Sequence, residues 1–234
     1  MRTQQRGAPT MIALDEIKIR AEAAVSGAKI EIVPNTAVAS QASLLLDREH
    51  ARAVAQFLRD DPALKLDHCS NVTGVDWLDR KIPKKVKVKQ LVDGVEKEIE
   101  QLEEDFFPGY LEAVYHLFSI TLKHGPVIIR MRTPDRTEDA HLPSLTPVWR
   151  SAEFQEREIF DLYGIRFQEH PDLRRILMWD EFEDFPMRKD YVDPDDFEYE
   201  PTPHDEVLDR AKEHYSPRPQ LDGAEKITAT DSHG

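Results

Sequence analysis

The sequence predicts an α+β fold: a mixed, mostly antiparallel sheet with helices packed on one face, continued by an extended C-terminal arm. Three observations lead there. Helical and strand periodicities alternate irregularly along the chain instead of in regular βαβ units. Two apolar runs in its middle, Tyr110 to Lys123 and Val127 to Arg132, are joined through His124-Gly125-Pro126, a connection short enough for an antiparallel hairpin. From about Trp179 the composition turns acidic, aromatic and proline-containing, which suits an extended segment better than a packed one.

In order along the chain, residues 1–13 read as a flexible lead-in without the sustained apolar stretch of a secretory signal. Leu14 to Val25 has helical spacing, and Lys29 to Val33 reads as a strand ended by Pro34-Asn35. Ser43 to Leu46 forms a second strand. Asp47 then stands where an N-cap belongs, ahead of a helix that buries Ala51, Val54, Ala55 and Leu58 and stops by Asp61-Pro62. Leu64 to Val72 is a third strand. The charged insert at about 80–108 is lysine-rich at its start and glutamate-rich at its end, a solvated excursion that folds as a hairpin around Asp93-Gly94. The main domain accordingly runs over 14–178, and the acidic arm over 179–234.

Composition excludes several functions. With 31 Lys and Arg against 45 Asp and Glu, the net charge of -14 opposes a general phosphate-binding surface, so nucleic acid is not a partner. The glycines form neither a dinucleotide fingerprint nor a Walker loop. A single cysteine, Cys69, excludes an internal disulfide and cannot supply the cysteine set of an iron-sulfur cluster. Its neighbour His68 falls on the opposite face of a strand, so the two do not form a nucleophile-base pair. The nine histidines show no metal-binding spacing; His116 reads as a strand residue satisfied by a neighbour, and His170 before Pro171 as the orienting residue of a turn. The longest apolar runs fall far short of the roughly 20 residues that span a bilayer, so the chain is expected not to cross one. Neither catalytic nor cofactor-binding nor metal-binding residues are expected.

The most informative stretch runs from Glu156 to Tyr191. Helical spacing from Trp149 places Trp149, Ala152, Glu156, Ile159, Phe160 and Tyr163 on one face, with Gly164 at the helix end. Glu156 is a carboxylate on an apolar stripe. Such a charge is costly unless met by an arginine or a row of backbone amides, and Arg157, Arg166, Arg174 and Arg175 are near enough in sequence. Glu156 and Glu158 point to different sides of the helix and are not a catalytic pair, whereas Arg157 and Asp161 have the spacing of an ion pair. His170-Pro171 begins a second, short helix, with Asp172 near its positive end and Arg174 and Arg175 near its negative end. The segment from Phe185 to Tyr191 is an aromatic and basic arm whose proline forbids regular helix.

This stretch resembles the signature of the C subunit of proton-pumping NADH:quinone oxidoreductase (respiratory complex I), the 30-kilodalton subunit family. Glu156, Arg157, Glu158, Asp161, Leu162, Tyr163, His170, Arg174, Ile176 and Leu177 meet every term of that pattern. Glu112 to Ser119 is similar to the family's central strand, and Leu142 to Trp149 to the approach to its signature helix. The likeness covers roughly residues 40–192. It departs at 184–190, where Asp184-Phe185-Pro186-Met187-Arg188-Lys189-Asp190 stands in place of Gly-His-Pro-Leu-Arg-Lys-Asp, and at the insert. The resemblance implies a cofactor-free subunit of the peripheral arm, on the cytoplasmic side of a bacterial plasma membrane, touching the D, B and I subunits of complex I and only indirectly the membrane arm. Iron-sulfur clusters, FMN, NADH and quinone would be held by partner subunits. Glu156, Arg157, Glu158 and Asp161 are assigned to a structural charge network, and His170, Arg174, Arg175, Arg188 and Lys189 to the partner interface. The rival readings are the equivalent subunit of a membrane-bound hydrogenase or ferredoxin- or F420-linked oxidoreductase, and a free-standing acidic interaction module.

Overall fold

The computed structural model describes residues 12–35, 41–92, 95–137 and 140–192. Helix α1 (Leu14–Ala24) leads into strand β1 (Ile30–Val33), then β2 (Ser43–Leu46) and helix α2 (Ala51–Asp60). Strand β3 (His68–Trp77) is followed by β4 (Arg80–Val92), β5 (Val95–Phe107), β6 (Tyr110–Ser119) and β7 (His124–Arg132). A short strand β8 (His141–Pro143), a 3-10 turn over Arg150–Ala152, helix α3 (Glu153–Tyr163) and strand β9 (Arg166–Gln168) complete the described elements.

Five strands form the main sheet in the order β1-β2-β7-β6-β3, antiparallel except between β2 and β7. Cross-strand partners share a face, so the register Leu44↔Ile129↔Tyr115↔Val72 and Leu46↔Met131↔Ala113↔Gly74 defines one apolar side. Against that side pack Ile17 and Ala21 of α1, Val54 and Leu58 of α2 and Ile159 of α3, all in one continuous core. The intervening positions, Glu112, His116, Arg130 and Arg132, fall on the opposite face. This is the predicted α+β layering, mostly antiparallel with helices on one face.

Close approach of α3 to the sheet depends on Gly74. A Cβ there would stand 2.5 Å from the Tyr163 ring, so only glycine lets the end of α3 lie against β3. Gly164 ends α3 in the left-handed region at φ 77, as the sequence predicts.

The structure differs from the sequence reading in several local places. The third strand begins at His68 and runs to Trp77, because Leu64 and Leu66 are buried in the turn that closes α2, where Leu66 N–H donates back to Leu58 O. The turn between β6 and β7 is made by 120–123, and His124-Gly125-Pro126 already belongs to β7. Asp47 is not the cap itself. Its carboxylate accepts from His50 N and His50 Nδ1 and from Lys29 N, tying the turn ahead of α2 to the entrance of β1. The insert is a two-stranded ribbon paired from Arg80↔Phe107 to Val92↔Val95; the turn expected at Asp93-Gly94 lies outside the described residues. No helix follows Pro171: residues 171–178 are turns, bends and irregular backbone, and the parallel pair β8–β9 is an element that the sequence does not signal.

The chain divides after Tyr191. Residues 193–234 of the acidic arm lie outside the described residues. Residues 179–191 pack on the body of the domain: Met187 N–H donates to Leu162 O, and Phe182 is buried. Among the described residues, no helix is long and apolar enough to cross a membrane.

Candidate functional site: the charged joints of helix α3

Helix α3 carries ionisable groups on two of its sides, and each side closes a different joint. On the inner side, Glu156 is fully buried between α3, β6 and the loop that follows β8. Its Oε1 accepts from Leu145 N at 2.8 Å and from the Tyr115 hydroxyl at 3.0 Å. Its Oε2 accepts from Ser144 Oγ at 2.6 Å and Thr146 Oγ1 at 3.2 Å. The loop is held in place by the β8–β9 pair, which ends at Pro143↔Gln168 and is extended by Ser144 N–H donating to Gln168 O.

The sequence expectation for Glu156 is therefore corrected. No arginine meets it and only one backbone amide does; its cage is three hydroxyls plus that amide. Hydroxyls rotate and can donate to a carboxylate or accept from a carboxylic acid, so this cage tolerates both protonation states. Burial pushes the Glu156 carboxyl up from its ordinary value, against the pull of Ser144, Leu145 and Tyr115. The same burial, with the Glu156 charge beside it, raises Tyr115 well above the usual phenol range. Cys69 lies in this cluster's field, and burial first, Glu156 second, push its thiol up to about 12.

On the outer side, Asp161 is also fully buried, in the opposite kind of environment. Its Oδ2 accepts from three consecutive amides, Ile176 N at 3.0 Å, Leu177 N at 2.6 Å and Met178 N at 2.9 Å. Its Oδ1 takes Arg175 Nη1 at 2.7 Å. Burial alone would raise this carboxyl, but the amide row and the guanidinium outweigh it and hold it below its usual value. The row of amides expected around Glu156 is found around Asp161. Arg157 does not pair with Asp161; it is buried and donates through Nε and Nη2 to Arg174 O and Arg175 O, each at 3.2 Å, with Asp172 3.8 Å away. These bonds hold 174–178 as an irregular loop against α3, which is why a second helix does not form. Glu158 faces solvent and joins neither group.

Of the residues assigned to a partner interface, three are engaged within the chain. His170 accepts at Nδ1 from Asp172 N and therefore donates from Nε2 to Glu153 O. Arg175 bridges Asp161 to Asp184 O. Arg188 donates to Tyr163 O at 2.7 Å and Arg136 O at 3.0 Å and stacks on Phe185. Arg174 and Lys189 are exposed, Arg174 paired with Asp172 and Lys189 over the Trp77 ring.

Two further joints were not picked out from the sequence. Asp76 is buried at the end of β3, where Arg136 pairs with both its oxygens at 2.7 and 2.8 Å and Lys189 N donates to it at 2.8 Å. Arg136 also reaches Asp190. On the other sheet face, buried Glu112 is shared by Arg132 Nε, Trp77 Nε1 and Arg130 Nη1. Both acids sit in apolar strand runs, Val75-Asp76-Trp77 and Leu111-Glu112-Ala113, so the reasoning that singled out Glu156 applies equally to them.

What these groups do chemically is fasten: each buried acid bridges at least two elements. Among the described residues, no cluster of His, Cys, Asp and Glu is arranged to hold a metal ion.

Comparison with known proteins places this architecture. Residues 44–198, well over half of the chain, match the family model described as "Respiratory-chain NADH dehydrogenase, 30 Kd subunit". The C subunit of NADH-quinone oxidoreductase from Saccharopolyspora erythraea is 36% identical over 146 residues, 62% of this chain and 47% of that protein. The corresponding C 2 subunit from Rhizobium meliloti is 39% identical over 137 residues, 58% of each. The chain thus spans about half the length of these relatives. A solved structure of the trypsin-resistant fragment (1-134) of Nqo5 is 27% identical, covering 68% of this chain and 98% of that one with a TM-score of 0.41. With both the signature helix and the central strand inside the matched region, the chain belongs to the respiratory-chain NADH dehydrogenase 30 Kd subunit family.

Proposed function

We propose that this chain is a structural subunit of the peripheral arm of a proton-translocating NADH:quinone oxidoreductase, on the cytoplasmic side of a bacterial plasma membrane. It contacts the counterparts of the D, B and I subunits, and electrons pass from NADH through FMN and iron-sulfur clusters in those and other chains to quinone. The observation that carries this reading is the engagement of the family signature: Glu156, Arg157 and Asp161 are all buried in intrachain joints. A group sealed in such a joint meets no outside substrate. Its contribution is rigidity, which electron-transfer partners require because their own reacting groups must be held in place by surrounding protein.

In this reading, His170, Arg175 and Arg188 serve the interface by shaping the surface, and Arg174 and Lys189 lie exposed on it beside Asp172 and Trp77. The test is affinity purification of the tagged chain from solubilised membranes, with NADH:quinone activity followed in a strain lacking it. Co-purification with flavin- and cluster-bearing chains, and loss of activity on deletion, are expected. A chain that purifies as a monomer from the cytosol, or a deletion that leaves activity intact, refutes the proposal.

A further inference from the structure

The outer side of α3 is bordered by large apolar side chains that the fold leaves uncovered. Phe154, Arg157, Glu158, Asp161 and Leu162 follow one another at helical spacing on that side. Along them the chain lays the loop that Asp161 grips and the turn at Met187, whose N–H reaches Leu162 O. The resulting border exposes Phe154 (60%), Leu177 (59%), Trp179 (52%) and Met187 (53%). Exposed side chains of these types, a tryptophan among them, are those enriched at binding hot spots.

Its charge is one-sided. Glu158, Asp180, Glu181, Glu183 and Asp184 are exposed among these residues. The cations nearby each have an acceptor within the chain: Arg157 in backbone carbonyls, Arg175 in Asp161, and the exposed Arg174 and Arg150 in Asp172 and Glu153. The loop is also fixed in shape, since three N–H hydrogen bonds to Asp161 and the Arg157 guanidinium hold its backbone before any partner arrives. Pre-set geometry lowers the ordering cost of association.

We propose that this side of α3 receives a basic, apolar segment of a neighbouring protein, with its apolar residues over Leu177, Trp179 and Phe154 and its Lys or Arg side chains among the surrounding carboxylates. Complementary charge sets the register while the apolar anchors supply the affinity. The inference rests on the reading of the chain as a subunit of a larger complex, and names the chemistry of one contact in it.

The test places a photo-activatable benzophenone amino acid at Leu177 of the full chain, and separately at exposed Thr73 on the other sheet face as a reference. Solubilised membranes are irradiated, and the migration of the chain on a native gel and the identity of the cross-linked peptide are both read. The expected result is a chain in a large complex whose Leu177 probe links to one protein segment rich in Lys or Arg beside apolar residues, with Thr73 linking elsewhere. The yield from Leu177 should fall at least tenfold with Glu181→Lys and Glu183→Lys together, substitutions of exposed side chains that leave the thermal midpoint in place. A link to lipid, to an acidic or uncharged segment, or to nothing while the chain still migrates in the complex overturns the inference alone. A chain that migrates with no complex overturns the subunit reading and the inference together.

Discussion

Replacing Glu156 with glutamine and with alanine separates a hydroxyl cage from an ion pair. In the wild-type joint, one carboxylate oxygen takes Leu145 N–H and the Tyr115 hydroxyl, and the other takes the Ser144 and Thr146 hydroxyls. Glutamine can satisfy all four: its oxygen keeps the amide and the phenol, and its NH2 donates to two hydroxyls that need only rotate to accept. The expected effect of Glu156→Gln at neutral pH is within about 1 kcal/mol, since all four contacts are kept. Alanine leaves an obligatory backbone N–H and three hydroxyls without the acceptor, plus a cavity, for a cost of about 2–4 kcal/mol.

The pH dependence gives an independent reading of the same joint. Because the folded carboxyl binds its proton more tightly than the unfolded one, this group's contribution is greatest below the ordinary carboxylate range. It declines as pH rises toward the raised folded value, with a slope of at most about 1.4 kcal/mol per pH unit inside that window. Denaturant melts from pH 4 to 8 on wild type and both variants measure this directly. Glu156→Gln should remove that decline and nothing else. A cost equal to that of Glu156→Ala would mean a cation holds Glu156, and a slope that survives in Glu156→Gln would mean the decline belongs to another group; either result refutes the cage reasoning.

Asp161→Asn should be far worse than Glu156→Gln, by about 3–5 kcal/mol, because an NH2 group must confront either three amide donors or Arg175; urea melts give the cost, and proteolysis within 174–178 should accelerate. Wild-type Asp161, held below its usual value, contributes stability above the ordinary carboxylate range and loses it as pH falls through the folded value, so its acid limb should vanish in the asparagine variant. Gly74→Ala should cost about 1–3 kcal/mol, since its Cβ would overlap the Tyr163 ring, and most of that cost should disappear in a Tyr163→Ala background when the two are measured as a double-mutant cycle. The Cys69 thiol, pushed up to about 12 by burial and Glu156, should resist a thiol-specific disulfide reagent at pH 8 in the folded protein and react on unfolding; rapid labelling of the native chain contradicts the buried placement.

Layering and most elements were legible because they rest on periodicity, a property of neighbours in sequence. The Ala51–Val54–Ala55–Leu58 face, the Gly164 stop and the antiparallel pairing of β4 with β5 each follow from spacings within one segment. The site was legible only as a problem. That Glu156 needed partners could be read from one helix, but the partners come from β6 and from the loop after β8, and three of the four are uncharged hydroxyls. Hydroxyls in a loop carry no signal that distinguishes a cage from a surface. The second helix was misread for a related reason. Asp172, Arg174 and Arg175 suit a helix dipole locally, yet the backbone amides after them are claimed by Asp161 on another element, and a tertiary bond overrides a weak local preference.

The two buried acids of α3 show why one short helix carries so much fixed charge. Glu156 and Asp161 are five residues apart, so they lie on different sides, and each is satisfied by backbone or hydroxyl groups that exist only when a particular loop has docked. Glu156 requires 144–146, and Asp161 requires 174–178. Apolar contacts alone would accept those loops in many arrangements, because they are non-directional. A carboxylate accepting bonds from named amides accepts one arrangement and penalises the others by an unsatisfied charge. The energy of these joints at equilibrium is therefore modest, whereas the difference between a docked and a misdocked loop is large. That difference is what sets the positions of the exposed side chains at Leu177 and Trp179 beside the fixed Phe154 of α3.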